Sequence, residues 1–305
     1  MASNPRRLLL IAAVLQLVWG LVPSASKFVI DEIPVELYIA LRWSISGAIF
    51  GIYLCFTRGW KKVSIADVVW VSLLGILGYG VASLGTLYGL KVGGVTNFAL
   101  MGAVSPVITS LVAMVVLRER PRRLFFITLP ISVLGLFLLA LGKYQISSVG
   151  VVSASVVFIL GGYLLEAFVF VFSKRFKAKM STVQYLAIAQ ISTAVLLWIL
   201  QGAVFHQAGS LVQLSFTGMV AAGFVSVVAC VLCYAVLYWL LHHIDGHRLA
   251  LFDGFHTLSA TLFGFLFFRE PLEPLMLLGG FFVLIALVAG NWPAQEAFSM
   301  GEANS

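Results

Sequence analysis

Residues 95–121 read VTNFALMGAVSPVITSLVAMVVLRERP. The stretch opens on small and polar residues, carries no charge from 95 to 117, holds Pro106, and stops at Arg118-Glu119-Arg120-Pro121. About 20 apolar residues cross the hydrocarbon core of a bilayer, and cations gather at the cytoplasmic end of such a segment. The stretch therefore reads as a membrane helix with a cationic cytoplasmic end. Moved by 151 positions, Arg118-Glu119 falls on Arg269-Glu270, which closes another apolar run that begins near His247. Moved by 147, Ser26-Lys27 at the end of the first apolar run falls on Ser173-Lys174 at the end of the sixth. Two matches at nearly one offset, in equivalent places of the span order, mark a duplication. The first five-span repeat covers 8–141, the second 149–291, and a polar tail 292–305.

Composition agrees with this reading. Hydrophobic residues make up 61% of the 305 and charged residues 10%, where a soluble domain carries about 25% charged. The lipid bilayer is thus the immediate partner. The formal charge of +7 lies in short loops between apolar runs rather than on one amphipathic face, so it reads as an orientation signal and not as a nucleic-acid surface. Cys55, Cys230 and Cys233 all sit inside apolar runs and lack companion ligands, which favours packing over redox or metal chemistry. Residues 1–26 imitate a signal peptide, with Arg6-Arg7, an apolar run and small residues. Cleavage would remove the counterpart of the sixth span, so the segment is kept as the first helix.

Ten spans are predicted, at 8–28, 35–56, 68–90, 95–117, 124–141, 149–172, 183–201, 218–241, 248–268 and 274–290. The even-numbered loops carry Arg58, Lys61 and Lys62, then Arg118, Arg120, Arg122 and Arg123, then Lys174, Arg175, Lys177 and Lys179. The odd-numbered loops and their margins carry only Lys27, Lys91, Lys143 and Arg269. That bias puts both termini in the cytoplasm. An odd number of spans per repeat makes the second repeat enter from the opposite side. The expected fold is an all-α integral membrane protein of ten helices in two inverted five-helix repeats, an arrangement that places a site near the bilayer midplane. Small residues four apart, Gly47 and Gly51, Gly85 and Gly89, Ala260 and Gly264, allow close helix approach within one chain, so a monomer is expected rather than a homodimer.

The ten spans, Trp19-Gly20 in the first, Arg42 early in the second, and the 95–121 stretch with its weaker copy at 269–271 resemble the EamA-type transporters of the drug/metabolite transporter superfamily, over residues 8–291. The resemblance implies a bacterial inner-membrane carrier that works by alternating access. Such carriers frequently export amino acids, nucleotide-related metabolites or toxic small molecules. One departure is the start of the second copy, which reads HHIDGHRLALFDGFHTL over 242–258 in place of small apolar residues.

Several residues stand out as candidates. Asn97, Met101 and Ser105 share one face of the fourth span, and the 151 shift carries them to Arg248, Phe252 and His256 on the ninth. With Trp19, these make a candidate substrate passage; the alternative is plain interhelical hydrogen bonding. Glu166 lies in the sixth span at about 10 Å from the helix end, taking about 1.5 Å per residue, with Tyr163 one turn before it. A carboxylate at that depth faces the bundle interior and serves substrate or proton, or it neutralises Arg248. Asp253 and His256, three apart, form with Glu166 the candidate proton-coupling groups, imidazole titrating near neutrality. Arg42 either meets an anionic substrate group or pairs with Glu36 or Asp31 as an outer gate. His242, His243, Asp245 and His247 resemble a metal cluster, but Gly246 interrupts the helix there and a solvated loop is the better reading. No Walker motif appears, and no metal or cofactor is expected. A secondary transporter leads; an intramembrane enzyme and a non-transporting scaffold or sensor are the alternatives.

Overall fold

The computed structural model describes residues 5–102, 105–117, 125–143, 149–176, 179–241, 243–244, 249, 252, 255–256, 259–260, 262–263, 266 and 274–291. Among these every regular element is helical. The first span comes in two pieces, α1 (Pro5–Trp19) and α2 (Val22–Glu32), where one helix over 8–28 is predicted. Pro23 is the cause. It has no N–H, and its ring would collide with the carbonyl four residues back, that of Trp19, in an unbroken helix; in the first turn of α2 it is accommodated. The break also seats Gly20 against the ninth span. A Cβ there would lie 1.8 Å from Ser259 Oγ and 2.8 Å from the Ala260 nitrogen.

Helix α3 (Val35–Phe56) is the second span. The third begins as α4 (Ile65–Gly75), loosens into a π-helical segment at Ile76–Val81, and resumes as α5 (Ala82–Gly102). Helical geometry in α5 runs through 91–94, where the sequence predicts a loop, and the predicted fourth span is divided between the end of α5 and α6 (Ser105–Leu117). Pro106 belongs to the first turn of α6, the place in a helix where its missing N–H is tolerated.

The chain continues through α7 (Phe125–Lys143), α8 (Val149–Ser173) and α9 (Thr182–Leu200), the last ending in a π turn at Gln201–Phe205. The eighth span is α10 (Phe216–Phe224), a π segment (Val225–Cys233) and α11 (Tyr234–Leu241). Helix α12 (Pro274–Asn291) is the tenth span. Six helical stretches among the described residues are long and apolar enough to cross a membrane. Large apolar side chains such as Phe56, Val115 and Phe216 point outward, as a lipid-facing surface requires. The predicted ninth span, at 248–268, is described only at scattered positions.

The duplication is visible in the packing. Exchanging each span for its counterpart turns the pair α2 and α10 into α8 and α5, and both pairs pack. The pairs α3 with α9 and α7 with α12 map onto themselves, and both of them pack as well. The π segments of the third and eighth spans begin 149 residues apart. Ser64 and Ser215, 151 residues apart, both cap helix starts, their hydroxyls accepting from the N–H of Asp67 at 3.1 Å and of Gly218 at 3.0 Å. Each start is strapped to the end of a span in the other repeat. The Glu32 carboxylate accepts from the Ser215 N–H at 2.8 Å and from its hydroxyl at 2.6 Å. The Lys179 ammonium reaches Asp67 at 2.5 Å, and Lys179 is Glu32 moved by 147.

Candidate functional site: a charged aromatic cavity between the repeats

The site grows from Trp43, which is 1% exposed on α3. Its indole N–H donates to the Tyr79 carbonyl at 2.6 Å, inside the π segment of the third span. The Tyr79 ring lies 4.7 Å from Trp43 and 5.3 Å from Tyr234 at the start of α11. Tyr234 in turn meets Trp43 at 5.6 Å and Trp19 at 5.1 Å, both edge to face, the geometry that opposed ring quadrupoles favour. The hydroxyls of Tyr79 and Tyr238 are bonded to each other at 3.0 Å. Two π-wound segments thus deliver aromatic residues from both repeats to one place, and π turns recur at functional sites.

Two opposite charges face the cavity beside these rings. Arg42, 8% exposed, donates from Nη2 to the Ser83 hydroxyl at 2.6 Å. Its guanidinium lies 4.6 Å from the Trp43 ring centre and 5.5 Å from that of Tyr38, a cation–π arrangement. Its Nε is buried with no hydrogen-bond partner among the described residues. Glu166 on α8 accepts from the Tyr234 hydroxyl at 3.1 Å. Both charges line a cavity of about 190 Å³, together with Gln16, Trp19, Thr86, Phe98, Ser105, Thr109, Tyr163, Tyr234 and His256 among others. One buried water needs only about 10–15 Å³ measured this way, so a small solute fits.

Of the residues singled out in the sequence, Trp19, Ser105, Tyr163, Glu166, His256 and Arg42 come together here. Phe252 does not line the cavity; it is 2% exposed and stacks on Phe255 at 6.2 Å. The side chains of Asn97 and Met101 lie outside the described residues, as do Arg248 and Asp253, and with them the Arg248 pair and the Asp253 half of the proton relay. Of the loop histidines only His243 is described, its ring 4.5 Å from Trp239. The expected outer gate between Arg42 and Glu36 is not formed as an ion pair in this structure. Glu36 accepts from the Tyr88 hydroxyl, Asp31 is taken by Lys27, and Arg42 turns inward to Ser83. Six positions on one helix are about 240° apart around the axis and about 9 Å along it, so Arg42 and Glu36 leave α3 on different faces.

Gln16, Ser83, Tyr79, Tyr234 and Tyr238 were not singled out. The duplication held a signal for three of them. The 147 shift carries Trp19 to Glu166 and Gln16 to Tyr163, and the 151 shift carries Ser83 to Tyr234.

The model of the EamA-like transporter family matches residues 6–141 and 153–290. The chain belongs to the EamA-like transporter family. This member is a multi-pass membrane protein of a family of small-molecule transporters, and the two matches fall on its two halves. A solved structure described as "Crystal structure of protein" superposes with a TM-score of 0.75 at 18% identity, covering 94% of this chain and 99% of that one. At that identity the likeness shows the fold the EamA chain adopts. Among curated proteins there is no match.

Proposed function

We propose that this EamA member is a secondary transporter that exports amino acids or related small polar or toxic compounds across a bacterial inner membrane. It works by alternating access of the charged aromatic cavity, without ATP. It is built as ten spans in two inverted five-helix repeats with both termini in the cytoplasm, and acts as a monomer. The single observation that carries the reading is the Glu166 carboxylate, held by Tyr234 in a cavity whose walls come from both repeats. Carboxylates inside a membrane are costly and mark substrate or proton pathways, and transporters with repeated halves place their sites between them. Glu166 receives a substrate amine or a proton, and His256 on the same cavity is the second proton carrier, with Asp253 three positions before it in the sequence.

The test is solute exchange in proteoliposomes. Wild-type protein loaded with a panel of amino acids and small organic amines should show saturable flux that changes when a pH gradient is imposed. Wild-type vesicles that exchange none of these solutes faster than protein-free vesicles would overturn the proposal.

A further inference from the structure

Resting on the reading of the cavity as the solute site, we infer that Arg42 and Ser83 form a carboxylate subsite opposite Glu166, so that the transported solute is a small zwitterion. Arg42 is a buried cation whose hydrogen-bonding edge is not satisfied. A guanidinium carries five N–H donors; Ser83 takes one at 2.6 Å, while Nε is buried with no acceptor. The guanidinium lies over the Trp43 and Tyr38 rings, and its Nε–H is the donor left to meet a ligand. Among the described residues, the carboxylates nearest it in the sequence are engaged elsewhere: Glu36 with Tyr88 and Asp31 with Lys27. A planar fork with free N–H groups matches a carboxylate, which accepts two parallel hydrogen bonds.

The other pole is Glu166. It is not joined to Arg42 in an ion pair, and both residues line the same cavity. Two opposite charges that line one cavity, each held by a different hydroxyl, are complementary to a molecule with an ammonium at one end and a carboxylate at the other. Such a molecule neutralises both without a change in net charge. A solute with only one of the groups leaves the other pole unpaired, and the cost of that falls on affinity. Ser83 and Tyr234, which hold the two poles, are equivalent positions of the repeats.

The experiment measures binding to purified full-length protein by thermal shift and by equilibrium dialysis. The probes are the twenty proteinogenic amino acids, including L-leucine with its matched analogues 3-methylbutylamine and 4-methylpentanoate, and the corresponding amine and acid of any other amino acid that binds. The proposal expects at least one zwitterion to bind at least about 10-fold more tightly than both of its analogues, a factor of ten being about 1.4 kcal/mol. Arg42→Gln should remove the zwitterion's advantage over the amine. Arg42→Lys, which keeps the charge and loses the fork, should fall between. Ser83→Ala, which leaves the guanidinium in place, keeps the test open should Arg42→Gln misfold, and it should weaken the zwitterion selectively. A zwitterion-to-amine ratio unchanged in Arg42→Gln or Ser83→Ala overturns the carboxylate subsite and leaves the cavity reading standing. No zwitterion bound, or single-charge analogues bound equally well, overturns the subsite as well; loss of all binding and flux in wild type overturns the cavity reading itself.

Discussion

Ser83 and Tyr234 stand 151 residues apart at equivalent positions of the two repeats, and each holds one of the two opposite charges of the cavity: Ser83 bonds Arg42 at 2.6 Å and Tyr234 bonds Glu166 at 3.1 Å. The duplication has placed an orienting hydroxyl at the same point twice, and the two copies have diverged in the charge they orient. A hydrogen bond to a charged group contributes about 1.5–3 kcal/mol. Tyr234→Phe keeps the ring contacts with Trp19 and Trp43 and removes only the hydroxyl. Its expected effect is a fall of about 10-fold or more in apparent substrate affinity, read from concentration-dependent flux. Wild-type affinity in this variant would detach Tyr234 from the site.

Arg42 and Glu36 should behave as independent residues. Glu36→Gln still accepts from the Tyr88 hydroxyl and should transport nearly as wild type does, whereas Arg42→Ala should transport poorly. Exchanging the two residues, Arg42→Glu with Glu36→Arg, should give no more flux than Arg42→Glu alone. Recovery in the double variant, measured in the same vesicles, would restore the gate that the geometry of α3 argues against.

The reach of the sequence is best judged from particular elements. The second span at 35–56 coincides with α3 because nothing inside it disturbs an apolar window of membrane length. The first span was predicted as one helix because hydropathy is blind to Pro23, whose effect is on backbone geometry. Glu166 and Arg42 were legible because a charge in an apolar run has few places to go. Tyr79, Tyr234 and Tyr238 were not, since a tyrosine serves equally at a lipid interface, in packing or in a cavity. Their facing is set by π segments, which break the 3.6-residue period that a helical face is read from. The partners that Arg42 and Glu36 take here, Ser83 and Tyr88, turn on the same matter of facing, which loop proximity in sequence does not reveal.

Gly20 should be intolerant and Gly161 tolerant. A Cβ at position 20 would press on Ser259 Oγ and on the backbone of His256 and Ala260, whereas nothing among the described residues lies within 4 Å of one at position 161. The serine hydroxyl can swing away, but the backbone cannot. Gly20→Ala should cost about 1–3 kcal/mol through overpacking, and Gly161→Ala should keep the wild-type melting temperature in detergent. Equal melting temperatures for the two variants would contradict the close approach of the first and ninth spans.

The two straps should differ in strength and in salt response. Glu32 accepts two hydrogen bonds at the start of α10, so Glu32→Ala should cost on the order of 1 kcal/mol. The side chain of Lys179 is 53% exposed, and its pairing with Asp67 should fade as salt is raised. Melting curves of Glu32→Ala and Lys179→Ala at low and high salt check this, the second variant merging with wild type at high salt.

The central claim is that Glu166 acts on the transported solute or its coupled proton, and proteoliposome flux of Glu166→Gln, set beside its melting temperature, tests it most directly. Gln fills the same volume and still accepts from Tyr234, so the fold should persist. The account predicts an unaltered melting temperature with flux reduced at least about 10-fold, a loss of about 1.4 kcal/mol in transition-state terms. An unaltered melting temperature with wild-type flux would contradict it.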